Sequence, residues 1–258
     1  MNDTQSTDKP KDTPNDGDMP LMAHFAELRS RLIKIVVAVV VVFLALVGFS
    51  RDIYDLVSNP LVALLPDNAS MIATDVASNF LAPIRLTFFV ALFLVVPFVL
   101  WQIWGFIAPG LYKHEKRVAT PLLLAATVLF YVGVAFAYFA VLMPALKFFI
   151  SFAPDNVIPM TDIDSYLGFV MKLFLVFGAM FEIPVITLLL VLMRIVTPQA
   201  LADKRRYIIV GCFFIAALVT PPDGWSMIML AVPMCLLFEA GLILARVLVK
   251  PSLDNKTA

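Results

Sequence analysis

Three ionisable residues stand inside apolar runs of this sequence, Lys172, Glu182 and Glu239. A charge at the centre of a membrane-spanning helix costs about 2.5–3.5 kcal/mol on insertion scales, so each needs a reason. Lys172 falls about two turns from the end of its run, and its long stem can carry the ammonium to the interface. Glu182 is deeper, and a short carboxylate side chain has no such exit. Lys172 does not neutralise it along the helix, because their separation amounts to about 15 Å and about 80° of rotation. Pro184 leaves the carbonyl of Met180 without its helical donor, so a kink is expected here. Glu182 therefore reads as a carboxylate facing a water-filled groove, with a protonated or hydrogen-bonded packing residue as the structural alternative. Glu239 lies nearer the end of its run with Arg246 two turns on, and reads as structural.

Enzyme chemistry finds no residues to use. The two histidines, His24 and His114, lie outside the apolar runs, and no H-E-x-x-H, G-x-S-x-G or P-loop pattern occurs. No catalytic residue, metal ligand or cofactor is expected. Cys212 and Cys235 lie within apolar runs and are expected to pack as small hydrophobes rather than to form a disulfide or a metal site. Two further carboxylates sit among basic residues. Glu115 lies between His114 and Lys116, where a solvated salt bridge of little worth is the plain reading. Glu27 precedes the first apolar run, where a helix dipole favours an acid.

The elements that hold these residues follow from composition. Of the 258 residues 61% are hydrophobic and 15% charged, with a mean hydropathy of +0.93. A water-soluble domain of this size would expose far too much apolar surface, so lipid is the solvent for most of the chain. One membrane domain over residues 21–249 fits the length, with residues 1–20 and 250–258 as cytoplasmic tails. The first tail holds five Asp, two Lys and no apolar core. It reads as disordered, and as neither a secretory signal nor a transit peptide.

Six segments meet or approach the roughly 20 apolar residues that a span requires: residues 32–49, 84–107, 121–146, 166–192, 207–220 and 226–249. Basic residues fall on alternate connections. Lys9, Lys11, Arg29, Arg31 and Lys34 precede the first span, and Lys113, Lys116 and Arg117 join the second to the third. Arg194, Lys204, Arg205 and Arg206 join the fourth to the fifth, and Arg246, Lys250 and Lys256 flank the last. Fifteen of the nineteen Lys and Arg thus share one side, against Arg51, Arg85 and Lys147 on the other. By the positive-inside rule both termini are cytoplasmic. The expected fold class is an all-α integral membrane protein of six transmembrane helices, with long outer loops capping a concave bundle.

Two irregularities stand out. The fifth segment reaches only about 21 Å, short of the roughly 30 Å hydrocarbon core, so the bilayer thins there or polar helix ends sit deep. The first outer connection carries Ile53, Leu56, Val57, Leu61 and Leu64 at helical spacing, with Pro60 interrupting, which reads as an amphipathic segment capping the bundle. The connection holding Asp155, Asp162 and Asp164 reads as part of the same cap. The two halves of the chain differ in helix and loop lengths, and Glu182 has no counterpart in the first half, which weakens a reading as a proton-coupled solute transporter with Glu182 as relay. A membrane scaffold without a substrate of its own is the other alternative.

Several motifs stand in order along the chain: His24-Phe25-Ala26-Glu27-Leu28-Arg29, Phe106-Ile107-Ala108-Pro109-Gly110-Leu111-Tyr112-Lys113-His114-Glu115, Phe181-Glu182-Ile183-Pro184 and Thr220-Pro221-Pro222-Asp223. With Met71 to Ser78 and Ala135 to Phe139, they resemble TatC, the multispanning subunit of the twin-arginine protein translocase. The resemblance runs from about Leu21 to Val249. It implies a core receptor in the bacterial inner membrane that binds twin-arginine signal peptides of folded precursors at its cytoplasmic face. It also implies single-span TatA and TatB partners, homo-oligomers within the complex, and drive from the proton-motive force, with no nucleic acid. Glu27 and Glu115 match the family's signal-peptide carboxylates. Leu28, Arg29, Phe106, Pro109, Tyr112, Lys113 and His114 match the same surface. Glu182 matches the family's groove glutamate, and Pro60 and Asp223 match functional outer positions. Met227 departs from the family, which often has Gln there to help hold a partner helix. Two carboxylates on one face suit an arginine pair, since each guanidinium is a planar fork and a lysine only a point charge.

Overall fold

The structure is a computed structural model that describes residues 18–63, 71–107, 116–151, 160–193, 195–219 and 224–248. Helices dominate because an apolar run in lipid must satisfy its own backbone hydrogen bonds. In chain order they are α1 (Asp18–Leu46), α2 (Ser50–Val62), α3 (Ser78–Ile107), α4 (Lys116–Phe136), α5 (Met143–Ser151), α6 (Ile163–Met180), α7 (Ile183–Leu192), α8 (Pro198–Asp203), α9 (Arg205–Val219) and α10 (Gly224–Leu248). A tight 3-10 turn, Val47–Phe49, joins α1 to α2, and a stretch of π-helix, Ala137–Leu142, joins α4 to α5.

Among the described residues, five helical stretches are long and apolar enough to cross a membrane: Phe25–Val62, Ser78–Ile107, Thr120–Ser151, Ile163–Leu192 and Met227–Val247. The remaining apolar segment of the sequence is α9. Its 15 residues rise about 22 Å, short of the hydrocarbon core. The amphipathic segment around Pro60 is helical, as α2, with Leu61 buried against the bundle and Leu56 exposed. Residues 1–17 of the N-terminal tail, the whole C-terminal tail 250–258, Leu64 and Asp155 lie outside the described residues.

The stretch Ile163–Leu192 is the centre of the bundle. Its most apolar window is 56% buried, against 6% for that of Phe25–Val62. α4 packs on α6, α3 on α4 and α6, and α1 on α3, while α10 packs on α7 and α9. Lipid tails are as apolar as Leu, so close packing rather than water exclusion holds such helices together. Glycines permit it here. A Cβ on Gly133 would lie 2.8 Å from the Phe177 carbonyl oxygen, and one on Gly241 2.7 Å from the Cα of Pro184. The main core joins Leu61, Leu86, Leu142, Leu167, Val170, Leu173, Phe177 and Leu230. A second cluster, Trp104, Leu122, Ala126, Val185, Leu188 and Leu189, pins the end of α3 to α4 and α7. Cys212 is buried and Cys235 half-buried, both as free thiols.

Residues 71–77 close over the α2 end of the bundle. Ile72 and Asp162 form a parallel bridge, with the Ile72 N–H donating to Thr161 at 3.0 Å and the Ile163 N–H to Ile72 at 2.9 Å. Asp162 caps α6 by accepting from the Ser165 backbone N–H at 2.9 Å, and it also accepts from the Thr74 hydroxyl at 2.8 Å. These donors, the Ser165 amide first, hold its carboxyl down to about pKa 2. Asp164 accepts from Ser78 and pairs with Arg85 at 3.2 Å, and the Tyr166 hydroxyl donates to the Val57 carbonyl at 3.0 Å. The cap expected around Asp162 and Asp164 is thus a hydrogen-bonded closure across α2, α3 and α6.

Candidate functional site

At the opposite end, α1 brings Glu27 and Arg31 onto one face, since residues four apart stack on a helix. Two N–H groups of Arg31 donate to Glu27 Oε1, Nε at 3.0 Å and Nη2 at 2.7 Å. The third guanidinium nitrogen reaches across to α3, where Nη1 makes longer contacts to the Gln102 carbonyl oxygen at 3.3 Å and to its Oε1 at 3.4 Å. The guanidinium lies directly over Gly105, where a Cβ would come within 2.3 Å of Nη1. Glu27 and Arg31 keep 39% and 24% of their side-chain surface exposed, so the pair is reachable from water.

Phe106 follows Gly105 in the last turn of α3 and is half-buried; Trp104, buried in the second core cluster, fixes that turn. Leu28 and Arg29 on α1 are exposed, as is Phe25. Of the residues singled out in the sequence, the fold therefore brings Glu27 beside the helix end that carries Phe106. Pro109, Tyr112, Lys113, His114 and Glu115 lie outside the described residues, as does Asp223. In the sequence Arg31 is only one of many cations on the basic connections. Its Glu-to-Arg spacing of four is a signal for the pair; nothing in the sequence signals Gln102 or Gly105 as its seat.

Glu182 sits where the central stretch breaks. The helix stops at Met180 and restarts at Ile183, with Pro184 in the first turn of α7. A proline lacks the amide that would continue the ladder, which is why the break falls here. Glu182 is 9% exposed, and its Oε1 has no hydrogen-bond partner among the described residues. Lys172 is exposed on α6. Glu239 pairs with Arg205 of α9 at 2.9 Å, so its partner comes from the neighbouring helix rather than from Arg246. Pro60 lies inside α2, half-buried, and Met227 packs against the main core.

The family model described as Sec-independent protein translocase protein (TatC) matches residues 23–233. Similar chains carry the name Sec-independent protein translocase protein TatC. One from Azotobacter chroococcum is 56% identical, covering 88% of this chain and 89% of its own. One from Haemophilus influenzae is 54% identical, covering 90% of each, and one from Escherichia coli K12 is 52% identical, covering 88% of each. A crystal structure of the twin-arginine translocase receptor TatC superposes with a TM-score of 0.80 at 33% identity, over 88% of this chain and 100% of that one. The chain belongs to the TatC family, as a multi-pass protein of the bacterial inner membrane and a non-enzymatic component of the Sec-independent protein translocase.

Proposed function

We propose that the chain is the receptor of its translocase: it binds twin-arginine signal peptides of folded precursors at its cytoplasmic face and nucleates the translocation complex. The observation that carries this reading is the Glu27 carboxylate. It stands half-exposed at the helix end beside Phe106 and already accepts two N–H groups from a guanidinium. A site that holds one arginine fork has the chemistry to hold another, whereas a lysine offers only a point charge. The superposed crystal structure is that of a twin-arginine translocase receptor, which supports the same reading.

In this reading the chain crosses six times with both termini in the cytoplasm, α9 being the short fifth crossing, and long outer loops cap a concave bundle. Glu27 and Glu115 receive the two arginines. Leu28, Arg29, Phe106, Pro109, Tyr112, Lys113 and His114 form the surrounding surface. The hydrophobic stretch of the signal inserts along the groove of Glu182, driven by the proton-motive force. Single-span TatA and TatB subunits pack on α9 and α10, whose Tyr207, Val210, Phe214, Leu218, Val232 and Leu236 are exposed apolar residues. Further copies of the chain join the complex, and Pro60 and Asp223 serve on the outer side. A proton-coupled solute transporter is not favoured, since the relatives are named as protein translocase proteins.

The test is a binding comparison with the full chain in nanodiscs. An Arg-Arg signal peptide binds, the same peptide with Lys-Lys binds at least about tenfold more weakly, and Glu115→Ala loses the preference. Equal binding in all three would sink the reading. Cysteine labelling of inverted and right-side-out vesicles at residues 9 and 256 tests the two cytoplasmic termini.

A further inference from the structure

Arg31 occupies one oxygen, Oε1, of the carboxylate that an incoming arginine would need. Its Nε and Nη2 both donate to Glu27 Oε1, its Nη1 is held by Gln102, and its flat head rests in the space left by the missing side chain of Gly105. The seat is built for a guanidinium: any residue larger than glycine at position 105 would intrude on it, with a Cβ 2.3 Å from Nη1 and 3.0 Å from Cζ. Yet the pair is part-exposed and i,i+4 on one helix, a class of ion pair that is weakly held and easily exchanged with water. A strongly held pair would close the site permanently. A weakly held one closes it reversibly.

We propose that Arg31 is an internal stand-in for the substrate's arginine, an autoinhibitory contact that keeps Glu27 occupied until a signal peptide displaces it. This rests on the receptor reading above and adds its regulation. The incoming arginine exchanges one fork for another at Oε1 while Arg31 swings to solvent or stays on Gln102. The thermodynamic consequence is specific. An internal occupant reduces the apparent affinity of every cation for Glu27 by the same factor, the fraction of chains in which the carboxylate is open. Arg31 therefore sets the threshold for binding and leaves the ratio between Arg-Arg and Lys-Lys peptides unchanged. Because the open fraction governs how often a collision succeeds, the effect lies in the association rate.

The experiment measures association and dissociation of Arg-Arg and Lys-Lys signal peptides with the full chain in nanodiscs, for the wild type, Arg31→Ala, Gly105→Ala, Glu27→Gln and the double variant Arg31→Ala/Glu27→Gln. Arg31→Ala is expected to tighten both peptides by roughly threefold to tenfold, through faster association, with their ratio kept. Gly105→Ala retains every charge and pushes only the mobile guanidinium, so it is expected to tighten both peptides in the same way, which a simple change of net charge would not do. In the Glu27→Gln background Arg31→Ala is expected to gain nothing. Unchanged or weaker binding in Arg31→Ala, a gain that survives Glu27→Gln, or no gain in Gly105→Ala would overturn the stand-in while leaving the wild-type Arg-Arg preference, and so the receptor reading, intact. A wild-type chain that binds both peptides equally would overturn the receptor reading itself, and the stand-in with it.

Discussion

Gly241 on α10 lies against Pro184 on α7 so closely that a Cβ added to the glycine would sit 2.7 Å from the proline Cα. The contact is with backbone, which has no rotamer in which to retreat. It clamps α10 onto the helix start beside Glu182, the point where the central stretch is broken. Gly241→Ala is expected to destabilise the chain by about 1–3 kcal/mol, as overpacking does, read as a lower midpoint of thermal unfolding in detergent. A midpoint equal to that of the wild type would mean that α7 and α10 separate without cost.

Glu182 is expected to be held at the expense of stability. Its Oε1 is buried without a hydrogen-bond partner among the described residues, and an unsatisfied buried oxygen costs about 1–3 kcal/mol. Glu182→Leu is expected to raise the unfolding midpoint while lowering export of a folded reporter in cells. Higher stability with unimpaired export would remove Glu182 from the mechanism and leave it a packing residue.

The closure over the α2 end is expected to open with acid. The Asp162 pKa lies near 2 in the folded chain, below its ordinary value of 3.8, because donors from Ser165 and Thr74 favour the carboxylate. Its contribution is therefore fully present above about pH 4 and is lost as pH falls through about 2. The protection factors of the Ile72 and Thr74 amides, taken against the intrinsic exchange rate at each pH, are expected to fall across that window in the wild type, and to be low already at pH 6 in Asp162→Ala. Protection factors independent of pH would show that the bridge to Ile72 holds without the carboxylate.

Tyr166 ties α6 to α2 through a hydroxyl that donates to Val57. Tyr166→Phe keeps the ring and is expected to cost about 0.5–1.5 kcal/mol, the worth of one net hydrogen bond, with faster amide exchange in α2. Unchanged exchange there would place the hold on α2 in Leu61 instead.

Much of this architecture is legible in the residues. The break at Glu182 follows from Pro184, because a missing amide acts locally, and the shortness of α9 follows from counting residues against bilayer thickness. Pairings across helices are less legible. Glu239 reads as matched to Arg246 because helical periodicity reveals only partners on the same helix; Arg205 reaches it from α9. Arg31 shows the same limit. Its spacing from Glu27 is visible, but Gln102 and Gly105 enter only when α3 is packed on α1. Glu27 and Glu115 are singled out through motif resemblance rather than physics, since a glutamate among cations has an ordinary explanation at every occurrence.

The claim that this face reads arginine pairs is tested most directly by a double-mutant cycle between Glu115 and the peptide. Affinities of Arg-Arg and Lys-Lys signal peptides for the wild type and for Glu115→Gln give the coupling between the carboxylate and the guanidinium. Direct contact is expected to produce a coupling of about 1–3 kcal/mol, the worth of a charge-assisted pair. A coupling of zero, with both peptides weakened equally by Glu115→Gln, would contradict recognition by that carboxylate.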